Sequence, residues 1–282
     1  MRRKPLKNLH LKYVDDLSYL TSIHLKKKLT GNPDSNPVRP LAYHNRTSHV
    51  LPQEENELQK QMDRLSLYAE ENEMQINSKK TKLMLFNTSK TYDFMPVVTD
   101  SDGKALELVE EFKLLGVMVT SDLKWNCNTQ YMCARGYSKL WMLRNLKRYG
   151  ASIEDLVDVY TKQCRSILEM AAPAWSPGLT ISHSNQIERI QKAAFAIILG
   201  EEYISYSRAL IKLNMETLAD RRQSLCLSFA KKAFKHEKFN KWFSDGGEDG
   251  ADVHIKDVKT RTKRYFKSPL PYLTGLLNQE LQ

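Results

Sequence analysis

The chain changes texture near Trp125, and that break constrains its fold more than any other feature. Beyond it, apolar residues recur at three- and four-residue spacing in segments ended by Gly150, Pro173, Pro177, Gly178 and Gly200. This pattern predicts helices over about 127–148, 152–170, 183–199, 205–213 and 217–239. Ser152 followed by Asp155 has the form of a capped helix start, and Asn214 to Thr217 separates the last two helices.

The stretch before Trp125 reads differently. Leu9, Leu11 and Tyr13 alternate, and Asp15-Asp16 is turn chemistry, so residues 9–20 are expected as two short strands around a turn. Residues 30–53 carry Gly31, Pro33, Pro37, Pro40 and Pro52, the composition of a long loop. An amphipathic helix is predicted over 54–72 from the stripe Leu58, Met62, Leu65 and Ala69. A buried strand is expected at Leu83–Phe86, and two or three strands within 95–119, with Asp102-Gly103 as a hairpin signal. The fold class is therefore α+β and mostly helical, in three parts: 1–125, 126–243 and a flexible basic tail over 244–282.

Composition narrows the function classes. No apolar run approaches the roughly 20 residues that span a bilayer, so no membrane role is expected and the setting is read as cytoplasmic or nuclear. Cys127, Cys133, Cys164 and Cys226 show no metal-ligand spacing and are expected to be reduced and mostly buried. The net charge of +10 raises the prior for a polyanionic partner. Its clusters lie at Arg2–Lys4, Lys26–Lys28, Arg144–Arg148 and Lys259–Lys267.

Adjacent carboxylates on a turn between apolar strands are one way to present oxygen ligands to Mg²⁺ at a phosphoryl-transfer site. By pattern alone Asp15-Asp16 is more often just a polar turn. The wider context is more specific. Tyr13-Val14-Asp15-Asp16 resembles the Tyr-x-Asp-Asp signature of reverse transcriptases. Downstream, Asn77–Phe86 resembles the Asn-x-x-Lys-Thr-Lys segment of the non-long-terminal-repeat (LINE-type) retrotransposon enzymes, and Phe112–Val117 their primer-grip hairpin. Gly136–Leu140, Leu143–Lys147, Arg165–Glu169, Ala172–Trp175 and Gln186–Lys192 resemble the helical thumb and the region after it.

The resemblance spans about residues 9–240 and implies a partial polymerase palm, a short antiparallel sheet plus helix, followed by a thumb-like helical bundle. It implies Asp15 and Asp16 as metal-site carboxylates, with Tyr13 and Val14 near the primer end. Lys80 would lie near the leaving pyrophosphate, though a surface lysine at a strand start reads as well. Leu114, Leu115 and Gly116 would shape the primer grip, and a core strand with a close approach at Gly116 is equally compatible. Lys139, Arg144, Lys147 and Arg148 could meet phosphates, although for any single one a solvated helix face is the more frequent reading. Trp125, Trp141 and Trp175 are expected as core anchors rather than base-stacking platforms.

The implied partners are an RNA template and a DNA primer, or their hybrid, with dNTP and Mg²⁺ as in the intact family. A bridged metal pair needs a third carboxylate, which in that family lies upstream of Tyr-x-Asp-Asp together with the fingers. Only twelve residues precede Tyr13 here and none is acidic. The chain is therefore expected to be a truncated RNA-directed DNA polymerase, inactive alone. The alternative is a non-catalytic nucleic-acid-binding helical protein derived from a retroelement.

Overall fold

The computed structural model describes residues 9–12, 17–20, 57–86, 97–243, 255 and 258–280. They fall into two compact units, Met1–Leu115 and Gly116–Gln282, and the protein is mostly helical.

In the first unit, β1 (Leu9–Lys12) and β2 (Leu17–Leu20) pair antiparallel, with Leu9 opposite Leu20 and Lys12 opposite Leu17. The expected strand pair around the aspartates is thus formed. The loop expected over 30–53 lies outside the described residues. Helix α1 (Glu57–Glu71) buries Met62 and Ala69 on the predicted stripe. Gln59 on the same helix is also buried, because its side-chain amide pairs with a strand-like backbone. Its Nε2 donates to Thr99 O at 3.0 Å, and its Oε1 accepts from Thr99 N–H at 2.7 Å. The turn at Asp102-Gly103 is present: Thr99 bridges Ala105, Gly103 has φ of 75°, and Asp100 Oδ1 accepts from the Asp102 and Lys104 amides.

The strand expected at Leu83–Phe86 forms only in part. β3 is confined to Lys82–Leu83, half-buried, and pairs parallel with β4 (Glu107–Leu108), while Phe86 is exposed. A run of apolar residues predicts burial only where a second layer covers both faces, and β4 is a strand of two exposed residues. Strand β5 (Glu111–Leu114) forms a two-stranded sheet with β6 (Val117–Thr120). The residues between them, Leu115 (φ 47°) and Gly116 (φ 87°), are both left-handed, as a two-residue type I′ turn demands. Gly116 also admits a close neighbour, since a Cβ there would lie 2.8 Å from Met170 Cε.

The second unit begins at Gly116 rather than near residue 125, because Val117 of β6 belongs to the helical core. Its helices follow the predicted ones with one interruption. They are α2 (Asn126–Arg148), α3 (Ile153–Val159), α4 (Ser166–Glu169) and α5 (Ala172–Trp175), then α6 (Ile181–Leu199), α7 (Tyr206–Lys212) and α8 (Leu218–Lys235). The single helix expected over 152–170 is α3 and α4 joined by a π-helical turn, Tyr160–Arg165. That turn buries Tyr160 and Cys164, and Cys164 Sγ contacts the Gly136 carbonyl at 3.6 Å. Ser152, Thr180, Ser205 and Thr217 cap α3, α6, α7 and α8, each accepting a backbone N–H three residues on.

Helix α2 lies against α6 and the α3–α4 segment, and Gly136 sets how close they come. A Cβ at Gly136 would lie 3.1 Å from both Ile190 Cδ1 and Leu168 Cδ2. Across this seam Met132, Leu140, Leu143, Leu156, Phe195 and Ile198 are fully buried or nearly so. A polar network threads the same core. Tyr160 Oη donates to Gln191 Oε1 at 2.5 Å, and Gln191 Nε2 donates to Tyr206 Oη and to Glu216 O, both at 2.8 Å. Tyr206 in turn bonds Glu188, whose Oε1 also accepts the Leu218 N–H at 3.0 Å. One chain of bonds thereby ties the π turn, α6, α7 and the start of α8.

The expectation of a flexible tail over 244–282 needs correction. Residues 244–254 lie outside the described residues, but α9 (Lys263–Phe266) and α10 (Pro269–Glu280) follow. Leu273, Leu276 and Leu277 of α10 are buried with Cys226, Ala230 and Ala233 of α8 and with Phe243. The Gly- and Asp-rich composition of 244–262 does not continue into residues 263–280, which carry their own helical apolar spacing. Three of the cysteines, Cys133, Cys164 and Cys226, are buried and all four are free. Burial pushes the Cys164 thiol up to about 12 and that of Cys226 to about 11.

Gly136 gives the fold its sharpest test. Gly136→Val forces two methyl groups into the seam against Leu168 and Ile190. Urea denaturation should show a loss of about 1–3 kcal/mol with the secondary structure retained.

Candidate nucleic-acid interface

The residues Tyr13, Val14, Asp15 and Asp16 lie outside the described residues. Their flanking strands are described, and the last pair of the ladder, Lys12 opposite Leu17, brackets these four in sequence. Among the described residues no group of three His, Cys, Asp or Glu side chains is placed to hold a metal ion.

Lys80 is exposed, in a turn where its N–H donates to Asn77 Oδ1 at 3.1 Å, just before β3. Leu114 is half-buried at the end of β5, while Leu115 is exposed at the tip of the type I′ turn. The four cations proposed to meet phosphates all lie on α2, and the structure separates them. Arg144 and Arg148 are exposed. Lys139 is half-buried beside Cys164, whose thiol its charge helps hold down against burial. Lys147 Nζ donates to the Ile198 carbonyl at 2.7 Å. It thereby satisfies an oxygen of the last turn of α6 and places positive charge at the negative end of that helix. Lys147 is a structural cap.

Trp175 is fully buried, its Nε1 donating to Met170 O at 2.8 Å, and Trp125 packs half-buried over Gly178. Both are core anchors, as expected. Trp141 is not: it is 67% exposed. The buried positions of α2 include 132, 136, 140 and 143, so Trp141 falls on the opposite side.

That opposite side carries what the residue-by-residue reading missed. Gln130, Ala134, Tyr137, Trp141, Arg144 and Arg148 are spaced four, three, four, three and four apart and all are exposed. They form one stripe along a helix of 23 residues, roughly 35 Å long. The helix contains five basic residues, Arg135, Lys139, Arg144, Lys147 and Arg148, and no acidic one. Arg135 lies over the Tyr131 ring, 5.5 Å from its centroid. Plotting α2 at 100° per residue would have revealed the stripe from sequence.

Compared with protein families, curated proteins and solved structures, the chain gives no match. No helix among the described residues is long and apolar enough to cross a membrane.

The division between Lys147 and its neighbours is measurable. Lys147→Ala should cost about 1–2 kcal/mol of stability in chemical denaturation, because it strips the Ile198 carbonyl of a charged partner. Arg144→Ala, at an exposed position without such a bond, should leave the denaturation midpoint nearly unchanged.

Proposed function

We propose that this chain derives from a LINE-type reverse transcriptase and binds an RNA–DNA hybrid along α2, with Tyr13–Asp16 as its metal-carboxylate turn. The observation that carries the proposal is the charge of α2: five basic residues, no acidic residue, and Arg144 and Arg148 facing solvent. Phosphates are recognised by such unneutralised cations, and the counterions they displace supply much of the affinity.

The order of elements supports the polymerase ancestry. A strand pair brackets Tyr-Val-Asp-Asp in sequence, a helix and a short strand follow, then a type I′ hairpin, then, among the described elements, helices. On this reading the sheet-containing segment is a partial palm and the helical unit a thumb. Asp15 and Asp16 would hold Mg²⁺, which supplies charge stabilisation to the phosphoryl group when bound. Lys80 would lie on the side of the leaving pyrophosphate, and Leu114–Gly116 would support the primer strand. On this reading a metal pair would need a further carboxylate besides Asp15 and Asp16, and residues 9–12 supply none. Binding without catalysis, the second reading, is favoured by the same charge on α2.

Two measurements test this. The full chain should bind an RNA–DNA hybrid with an affinity that falls steeply with salt. Reversing Arg144 and Arg148 to Glu should weaken binding and reduce the salt slope by about two, while Lys60→Glu on α1 should not. Salt-independent binding, or equal effects of the two sets, would remove the α2 assignment. In a primer-extension assay with Mg²⁺ and dNTP, the chain alone should add no nucleotides, and processive extension would overturn that half.

A further inference from the structure

The stripe on α2 contains more than charge. Trp141 and Tyr137 are 67% and 47% exposed, large aromatic surface that folding has not removed from water. They sit four residues apart on one face, with Arg144 one turn beyond Trp141 and Arg148 one turn further. We propose that this face is a stacking platform for unpaired nucleotides, in which Trp141 and Tyr137 take base faces and Arg144 and Arg148 take the adjoining phosphates.

The proposal rests on the reading of the chain as a nucleic-acid binder and specifies what kind of nucleic acid this face takes. Bases within a duplex already have their faces covered by stacking and offer only edges in the grooves. An indole ring presented to solvent therefore has no stacking partner on an intact hybrid. Single-stranded segments supply free faces, and proteins that bind them pair aromatic platforms with a basic track. A protein partner fits less well. On the stripe Trp141 stands between Tyr137 and Arg144, with Arg148 beyond, and a dry protein interface would have to desolvate both guanidinium groups. The absence of any carboxylate on α2 gives complementarity to a polyanion along the whole helix.

The test uses the full chain with two probes, a short unstructured RNA and the same RNA annealed to its DNA complement. The free RNA should quench tryptophan fluorescence on binding, as a base covers the indole. Trp141→Ala should weaken binding of the free RNA by about 5- to 100-fold and abolish most of the quenching. Binding of the hybrid should be unchanged, and Trp141→Phe should restore most of the affinity because it keeps a ring. Trp141 is exposed, so these variants retain the fold, which circular dichroism checks. Equal losses on RNA and hybrid, or RNA binding without quenching, would overturn the stacking platform and leave the hybrid-binding reading in place. If the unaltered chain bound neither probe, the nucleic-acid reading and this inference would fall together.

Discussion

The helical unit depends on the closeness with which α2 meets α6 and α4 over Gly136. A side chain at that position would press its Cβ to 3.1 Å from Ile190 and Leu168 and force the seam that buries Leu140, Leu143, Ile190 and Ile198 to shift. The approach also fixes the rotation of α2 about its own axis. Once Met132, Gly136, Leu140 and Leu143 face inward, geometry sends Tyr137, Trp141, Arg144 and Arg148 outward, whatever their own preferences. The exposed aromatic-and-basic stripe is therefore a consequence of the packing on the other side. The same rotation brings Lys147 within reach of the last turn of α6, so that one cation of the cluster is used in the fold while its neighbours stay in solvent.

Most of this architecture is legible in the sequence because its signals are local. Helix starts at Ser152 and Thr217 depend on a hydroxyl and an amide three residues on, and both form. The left-handed pair at Leu115-Gly116 needs only one glycine beside a strand that reads as one. What sequence missed was decided by distant partners. Residues 83–86 are apolar enough for a buried strand, yet the neighbour available to pair with them is the two-residue β4, so the ladder stops at Leu83. The π turn at Tyr160–Arg165 arises in a segment whose spacing reads as unbroken helix. Its Tyr160 hydroxyl finds Gln191 only once α6 is in place.

The candidate site was legible unevenly for related reasons. Asp15 and Asp16 are nameable from four residues of sequence, and the described strands Leu9–Lys12 and Leu17–Leu20 pair on either side of them in sequence. The cations of α2 were found as a cluster, but a cluster has no direction until the helix is oriented. Orientation assigned Lys147 to a carbonyl, left Lys139 half-buried and turned Arg144 and Arg148 outward. Trp141 was misread because tryptophan is usually drawn inside by its size. Its position, one residue past Leu140 and two before Leu143, carried the contrary information.

A helix with five cations and no anion must still be stable, and its arrangement shows how. Arg144, Lys147 and Arg148 all lie in or near its last turn, where the helix dipole favours positive charge. Lys147 offsets part of the mutual repulsion by donating to the Ile198 carbonyl at the negative end of α6. Arg135, Arg144 and Arg148 stay in high-dielectric solvent, where repulsion between like charges is weak and screened by salt. Acidic neighbours are therefore not required for folding, and their absence leaves the surface potential of α2 unneutralised. A polyanion approaching this face meets no carboxylate on the helix. On the proposed reading, Trp141 and Tyr137 would be covered by unpaired nucleotides, which bring negative charge and uncovered ring faces together.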